Sequence, residues 1–304
     1  MKRLIFLALI LVMGVALAVV IYLDRPSAPF RATLVPFFQL AGHATKTVDS
    51  LLARVLPLDA LDEKEFGEAL ALKIRMGVPP DDPDQIYLNE LMAQVTAFVK
   101  KPFQYRVLVS SSQMPNAFAL PGGVIVVTRG LLSTLESESE VVSVLAHETG
   151  HIELGHCFND VKFELLSRKV KVESLGKLAD LALDILVHHS FSKTQENEAD
   201  EYAYELLLHS PYDPSAAGSA FMSFRSYMTA RGSYRQREER VDFIRDYFSS
   251  HPPMILREKK YSEKAKSWWA KHTQERRYVG KVNLRSRVSY FRNNNIPEEW
   301  ISAT

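Results

Sequence analysis

The sequence predicts an α+β fold that is mostly helical, with a small β-sheet directly before the helix that carries the chemistry. Short runs of alternating or β-branched apolar residues between positions 105 and 128 predict the strands, and apolar residues at helical spacing surround them. Of the 304 residues 46% are apolar, which is enough to bury a substantial core. Lys and Arg number 37 against 36 Asp and Glu, so the charge balance gives no reason to expect nucleic acid as a partner.

The first residues predict a membrane segment. Lys2 and Arg3 precede an uninterrupted apolar run over residues 4–23. This run matches the ~20 residues that a membrane-spanning helix needs and is longer than a usual signal-peptide core. Residues 1–23 are therefore expected to be an uncleaved membrane anchor, and a long cleaved signal peptide is the alternative. In either case the positive charges before the run send the following residues out of the cytoplasm.

Prolines mark the predicted domain boundaries. Residues 24–85 are expected to be a linker and a weakly helical lead-in, which closes with a break rich in proline and aspartate at Pro79–Pro83. The main domain is predicted over residues 86–260 and starts with an amphipathic helix, Ile86–Lys100. The last segment, residues 261–304, is basic and aromatic, and is interpreted as an extension of unknown role.

Three strands are predicted before the central helix. Residues 105–109 alternate as in a half-buried strand, and Val124–Thr128 is rich in β-branched side chains. A third extended segment lies between them and is turned into the last strand by Pro121, Gly122 and Gly123. The residues of this third segment are Ala117, Phe118, Ala119 and Leu120.

The central helix carries a metal-binding pattern. Ser137 and Glu140 predict its start, because their side chains can form a capping box. Within it lies His147-Glu-Thr-Gly-His151, whose two histidines project from one face and can share one ion. Glu148 leans toward the open coordination position and is the candidate general base. This zincin arrangement predicts a zinc site; the alternative is a surface helix with two solvated histidines.

A third ligand is needed, and two candidates follow the motif. His156 points away from the metal face at about 100° per residue and is interpreted as a structural or partly exposed histidine. Ser192 and Gln195 predict a second helix, in which Glu196 and Asp200 lie four apart on one face. Glu196 is the candidate third ligand, and Asp200 is the candidate acceptor for the remaining ring hydrogen of a ligating histidine. A solvated acidic face is the alternative for these two carboxylates.

With these residues the chain resembles the prenyl-protease/HtpX-like family of gluzincin metallopeptidases, and within it the soluble periplasmic BepA-like branch. Six segments carry the resemblance in the family's order: Asn116–Gly123, Thr128–Leu132, His147–His151 with His156, Phe191–Asp200, Tyr212–Pro214 and Ser250–Pro252. Lys193 stands where the family usually has arginine, and the tail after Tyr261 has no match. The resemblance implies a zincin-type metallopeptidase domain with the small sheet beside the active-site helix.

The resemblance also implies the composition of the site. It implies one Zn²⁺ per chain, held by His147, His151 and Glu196, with Glu148 as the catalyst and Asp200 as support. A further implied feature is a loop that carries His251 to the zinc, where this histidine plugs or assists the site.

The implied activity is hydrolysis of peptide bonds in misfolded or misassembled cell-envelope proteins, outside the cytoplasm in the bacterial periplasm. The extended segment Ala117–Leu120 is expected to bind substrate as an added strand. The alternative function is a membrane-anchored, largely non-proteolytic holdase or assembly factor that retains the zinc site. Glu148 favours the peptidase, because metal binding alone has no use for that carboxylate.

Overall fold

The computed structural model describes residues 63–73, 78–167, 181–183, 185–186, 190–231, 251 and 254–303. The predicted anchor and the first part of the lead-in lie outside these residues, as does Pro252 of the His-Pro pair. In the described part of the chain, no helix combines the length and apolar character that crossing a membrane requires.

The described residues are mostly helical and contain a small mixed sheet, which confirms the predicted fold class. The helices are α1 (Glu63–Lys73), α2 (Pro83–Val95), α3 (Arg129–Thr134), α4 (Glu138–Glu153), α5 (His156–Ser167), α6 (Lys193–Leu208), α7 (Ala216–Arg231), α8 (Met254–Lys271) and α9 (Lys281–Ser286). Short 3₁₀ turns lie at Thr96–Phe98 and Pro297–Glu299. The strands are β1 (Arg106–Ser110), β2 (Ala117–Leu120), β3 (Val124–Thr128), β4 (Arg276–Tyr278) and β5 (Trp300–Ser302).

The central sheet has the order β1-β3-β2, with β1 parallel and β2 antiparallel to β3. Ala119 lies opposite Ile125 in the antiparallel pair. Gly122 and Gly123 turn the chain between these strands at φ values of 80° and 92°, which glycine adopts without steric cost. β2 and β3 have their predicted bounds, and β1 is shifted by one residue.

Side chains of α2 cover the outer edge of β1. Gln85 Nε2 donates to the carbonyl of Val107 at 2.6 Å, and the Val109 N–H donates to Gln85 Oε1 at 3.1 Å. Asn89 Oδ1 accepts from the Val107 N–H at 3.0 Å. These bonds satisfy backbone groups that another strand would otherwise use, so β1 is closed to strand addition.

The α2 helix begins and ends earlier than the predicted Ile86–Lys100. Asp82 caps its first turn by accepting from the Asp84 N–H at 3.0 Å, and Pro83 occupies the first helical position. The chain then continues as the 3₁₀ turn at Thr96–Phe98. The Asp-Pro start signal lies inside the segment predicted as a break, Pro79–Pro83.

The two predicted capping boxes differ in the structure. Ser192 and Gln195 form a complete box: the Ser192 N–H donates to Gln195 Oε1 at 2.8 Å, and the Gln195 N–H donates to Ser192 Oγ at 3.3 Å. Ser137 accepts from the Glu140 N–H at 3.3 Å, but the Glu140 carboxylate accepts from the N–H of Glu136 rather than that of Ser137. The reason is that Glu140 also accepts from two serine hydroxyls of α7, so its carboxylate is drawn toward that helix.

The C-terminal segment packs against the start of α4. The N–H groups of Glu138 and Ser139 donate to the carbonyls of Gly280 and Val279, both at 3.1 Å. The fully buried Glu138 carboxylate accepts from the Tyr212 hydroxyl and the Tyr290 N–H, both at 2.8 Å. This segment therefore supplies partners for the first turn of the helix that carries the candidate metal ligands.

Candidate metal centre

Four side chains converge between α4 and α6. Ligand atoms of His147, His151, Glu196 and His251 all lie within 4.8 Å of one another, and each of the four residues is buried. The first three are the predicted ligand set, and His251 is the predicted loop residue. The structure thus brings together residues that are distant in sequence.

A glycine lets the two helices approach closely. A Cβ atom added to Gly150 would lie 3.1 Å from both the Ala199 Cα and the Tyr202 Cβ, which is tighter than ordinary packing. Because Gly150 lies between the two motif histidines and Ala199 lies between Glu196 and Asp200, this contact sets the carboxylates beside the imidazoles.

The ring nitrogens of the motif face each other across the cluster. His147 Nε2 lies 3.1 Å from His151 Nε2. The Glu196 carboxylate lies 3.8 Å from the first of these nitrogens and 3.6 Å from the second. Imidazole nitrogens and a carboxylate at this spacing form a donor set that suits a divalent transition metal.

Asp200 determines which nitrogen of His147 faces the cluster. His147 Nδ1 lies 3.0 Å from Asp200 Oδ1, so the ring hydrogen is on Nδ1 and the Nε2 lone pair points inward. Burial alone would raise the pKa of Asp200, but the hydrogen bond with His147 and the charge of Arg257 outweigh it and lower the pKa to about 2. Asp200 is therefore ionised and acts as the acceptor.

Glu148 is fully buried, and neither carboxylate oxygen has a hydrogen-bond partner among the described residues. Burial is the main cause that raises the pKa of Glu148 to about 8, and the negative charge of Glu196 adds to this rise. The backbone N–H of Ala119 in β2 lies near enough to oppose this rise, although it does not reach hydrogen-bonding geometry. A buried carboxylate without a donor, beside inward-facing imidazole lone pairs, fits a site built for a cation and a water molecule.

His251 inserts into the middle of the cluster. Its Nδ1 lies 2.8 Å from Glu196 Oε1 and 3.3 Å from His147 Nε2, and its Nε2 lies 3.5 Å from Glu148 Oε1. The side chain is fully buried. His251 therefore stands between the candidate ligands and the candidate base.

Arg257 also belongs to the site and is not among the residues predicted from the sequence. Its guanidinium lies 2.5 Å from Glu196 Oε2 and donates to both oxygens of Asp200. It also donates to the His251 carbonyl at 3.1 Å. No local pattern distinguishes this arginine from the other basic residues of α8, and only its position six residues after His251 could have drawn attention to it.

His156 lies outside the four-residue cluster, as expected. The reason differs from the predicted one, because His156 does not belong to the same helix as the motif. The central helix ends at Glu153, and Gly155 turns the chain at φ 76° before α5 begins at His156. The histidine is consequently directed back toward His151, with 3.0 Å between their Nδ1 atoms. Two histidines shortly before α6, His188 and His189, lie outside the described residues.

The model of peptidase family M48 matches residues 84–265 of this chain. Metalloprotease LoiP of Escherichia coli is 31% identical over 165 residues, covering 49% of this chain and 64% of the relative. Metalloprotease YcaL of Escherichia coli is 26% identical over 165 residues, covering 49% and 63%. The beta-barrel assembly-enhancing protease of Yersinia pestis is 31% identical over 147 residues, covering 42% and 29%. The chain spans less than two thirds of the length of each of these relatives.

Proposed function

This chain belongs to peptidase family M48, and on that basis we propose that it is a zinc metalloendopeptidase. In this proposal His147, His151 and Glu196 hold one zinc ion, and Glu148 is the general base. The observation that carries it is the convergence of two imidazoles from α4 and one carboxylate from α6 beside a buried carboxylate that has no hydrogen-bond donor among the residues that the structure describes. Other divalent ions accept the same donor set, so zinc itself is part of the proposal.

Zinc, when bound, lowers the pKa of a coordinated water to about 7 and polarises the scissile carbonyl. Glu148 takes a proton from the attacking water and returns it to the leaving amine. The position of this carboxylate directly after His147 on α4 keeps the base beside the ligands. Asp200 orients His147, and Arg257 balances the charges of the two buried carboxylates of α6.

The proposed substrate-binding element is β2, residues Ala117, Phe118, Ala119 and Leu120. This strand contacts α4, and the Ala119 N–H lies near Glu148. The opposite edge of the sheet, β1, is closed by Gln85 and Asn89. An extended peptide added to β2 would therefore pass the catalytic carboxylate, bound mainly through its backbone and with tolerance for varied sequences.

The proposed substrates are misfolded or misassembled cell-envelope proteins. Two observations support this class: the apolar run over residues 4–23 predicts export with an anchor in the inner membrane or after signal cleavage, and a relative is named as a beta-barrel assembly-enhancing protease. The proposed location is accordingly the bacterial periplasm.

A second candidate function is a holdase or assembly factor that retains the zinc site and rarely cleaves. The position of His251 favours it, because this side chain lies 2.8 Å from Glu196 and 3.5 Å from Glu148 in the space that a substrate carbonyl and water need.

The test compares cleavage of an unfolded protein by the parent chain, Glu148→Gln and Glu205→Gln, together with the zinc content of each. Glu205 is an exposed glutamate of α6 and controls for the loss of a charge. We expect all three proteins to bind one zinc and only Glu148→Gln to lose cleavage, by about 10²–10⁴-fold. Equal cleavage by the parent and Glu148→Gln would remove the catalytic assignment, and absence of cleavage in the parent with zinc bound would favour the holdase.

A further inference from the structure

Two further side chains, His156 and Glu198, lie on the side of His151 that faces away from the four-residue cluster. His156 Nδ1 lies 3.0 Å from His151 Nδ1, and His156 Nε2 lies 3.1 Å from Glu198 Oε2. The His156 side chain is 7% exposed and that of Glu198 is 53% exposed, so the pair runs from the buried site to the surface.

The chemistry of these groups fixes the direction of each hydrogen bond. The carboxylate of Glu198 can only accept, so the Nε2 of His156 carries a hydrogen. The Nδ1 of a neutral His156 is then a lone pair, which accepts the hydrogen on His151 Nδ1. It follows that the Nε2 of His151 is a lone pair directed at His147 and Glu196, where a metal ligand needs it.

The two motif histidines are thus held in the same tautomer by different means. Asp200 accepts directly from His147 Nδ1 at 3.0 Å. Glu198 acts on His151 indirectly, because its carboxylate accepts from His156 Nε2 and His156 Nδ1 in turn accepts from His151 Nδ1. Phe191 adds a steric restraint, since its ring stacks on that of His151 at 3.8 Å with an interplanar angle of 23°.

The turn between α4 and α5 makes this arrangement possible. Gly155 adopts φ 76°, and the Asn159 N–H donates to its carbonyl at 2.9 Å as α5 begins. The turn places the first residue of α5, His156, behind the last histidine of the motif. A continuous helix would direct His156 elsewhere, because five residues at about 100° each carry a side chain to another face.

We propose that His156 and Glu198 are positioning residues that hold the ring orientation and tautomer of His151, so that its Nε2 lone pair faces the metal ion. This inference rests on the proposed zinc site and adds two residues to it. Partners of this kind typically contribute 10–100-fold to metal affinity.

The test measures zinc affinity of the full chain by competition with a chromophoric chelator. His156→Leu fills the space but cannot accept a hydrogen bond, and we expect zinc affinity to fall by about 10–100-fold. His156→Asn places an amide oxygen near the position of Nδ1, and we expect it to stay within about threefold of the parent. Glu198→Gln should weaken binding by up to about tenfold, because Glu198 is solvated, and the matched control Glu205→Gln should not change it.

Two measurements keep this inference separate from folding and from the proposed function. Unfolding of each variant with the metal removed by chelator reports packing, and we expect His156→Leu to unfold near the parent's midpoint there. In the zinc-loaded parent, nitrogen-15 NMR should show His151 protonated at Nδ1. A His151 protonated at Nε2, or parent-like zinc affinity in folded His156→Leu, would overturn the inference, whereas a parent that binds no metal would overturn the proposed function instead.

Discussion

Arg257 and Asp200 form a two-point ion pair in the buried site, with 2.6 Å between Nη2 and Oδ1 and 2.8 Å between Nε and Oδ2. Both side chains are about 5% exposed or less. The same guanidinium lies 2.5 Å from Glu196 Oε2, so one cation balances two carboxylates of α6. Buried charges depend on such partners, because an isolated one is costly to keep out of water.

We therefore expect Arg257→Gln to lower the free energy of unfolding by about 3–5 kcal/mol, since two buried carboxylates lose their cation. Arg257→Lys keeps the charge but not the planar fork, and should lie between the parent and Arg257→Gln. Urea unfolding with the metal removed measures both. An unchanged midpoint for Arg257→Gln would show that the ion pair contributes nothing to stability.

Glu196→Ala should lose bound zinc. The variant removes one of the three candidate ligands, so we expect the zinc content of the purified full chain to fall well below one per chain after dialysis. The control is Glu205→Ala, which removes an exposed carboxylate from the same helix. One tightly bound zinc in Glu196→Ala would exclude this carboxylate as the third ligand.

His251→Ala should retain zinc and cleave an unfolded protein faster than the parent. The reason is that three candidate ligands remain, while the side chain 3.5 Å from Glu148 no longer fills the space beside the base. Zinc analysis and initial cleavage rates measure the two effects. A slower rate with zinc retained would instead assign His251 a role in assisting the reaction.

The buried Glu138 predicts a pH dependence of stability. Burial raises its pKa to about 7 from 4.5 in the unfolded chain. The folded state thus binds the proton more tightly, so this contribution is complete below pH 4.5 and is lost as the pH rises toward 7. The loss is at most roughly 3.5 kcal/mol, at about 1.4 kcal/mol per pKa unit between 4.5 and about 7.

Glu138→Gln tests this dependence because glutamine keeps an acceptor for Tyr212 and the Tyr290 N–H but does not titrate. We expect the free energy of unfolding of the variant to fall less between pH 4.5 and pH 7 than that of the parent. Chemical unfolding at a series of pH values measures the slope. Identical slopes would contradict a raised pKa for Glu138 in the folded protein.

The secondary structure around the site was largely predictable from local signals. Val124–Thr128 was predicted with its observed bounds because this strand is buried along its whole length, which selects β-branched residues. Ser192 and Gln195 predicted the start of α6 because capping joins residues three apart. Neither signal depends on distant parts of the chain.

The sequence by itself also determined the candidate ligands, since His147 and His151 share a helix face through their spacing and Glu196 lies in the first turn of a second helix, four residues before Asp200. Only the tertiary structure decided what surrounds them. His251 and Arg257 meet α6 across 55 and 57 residues, separations that leave no periodic pattern. The direction of His156 depends on where α4 ends. These contacts arise because α4, α6 and α8 pack together and because buried charges need partners. Local sequence does not encode either of these conditions.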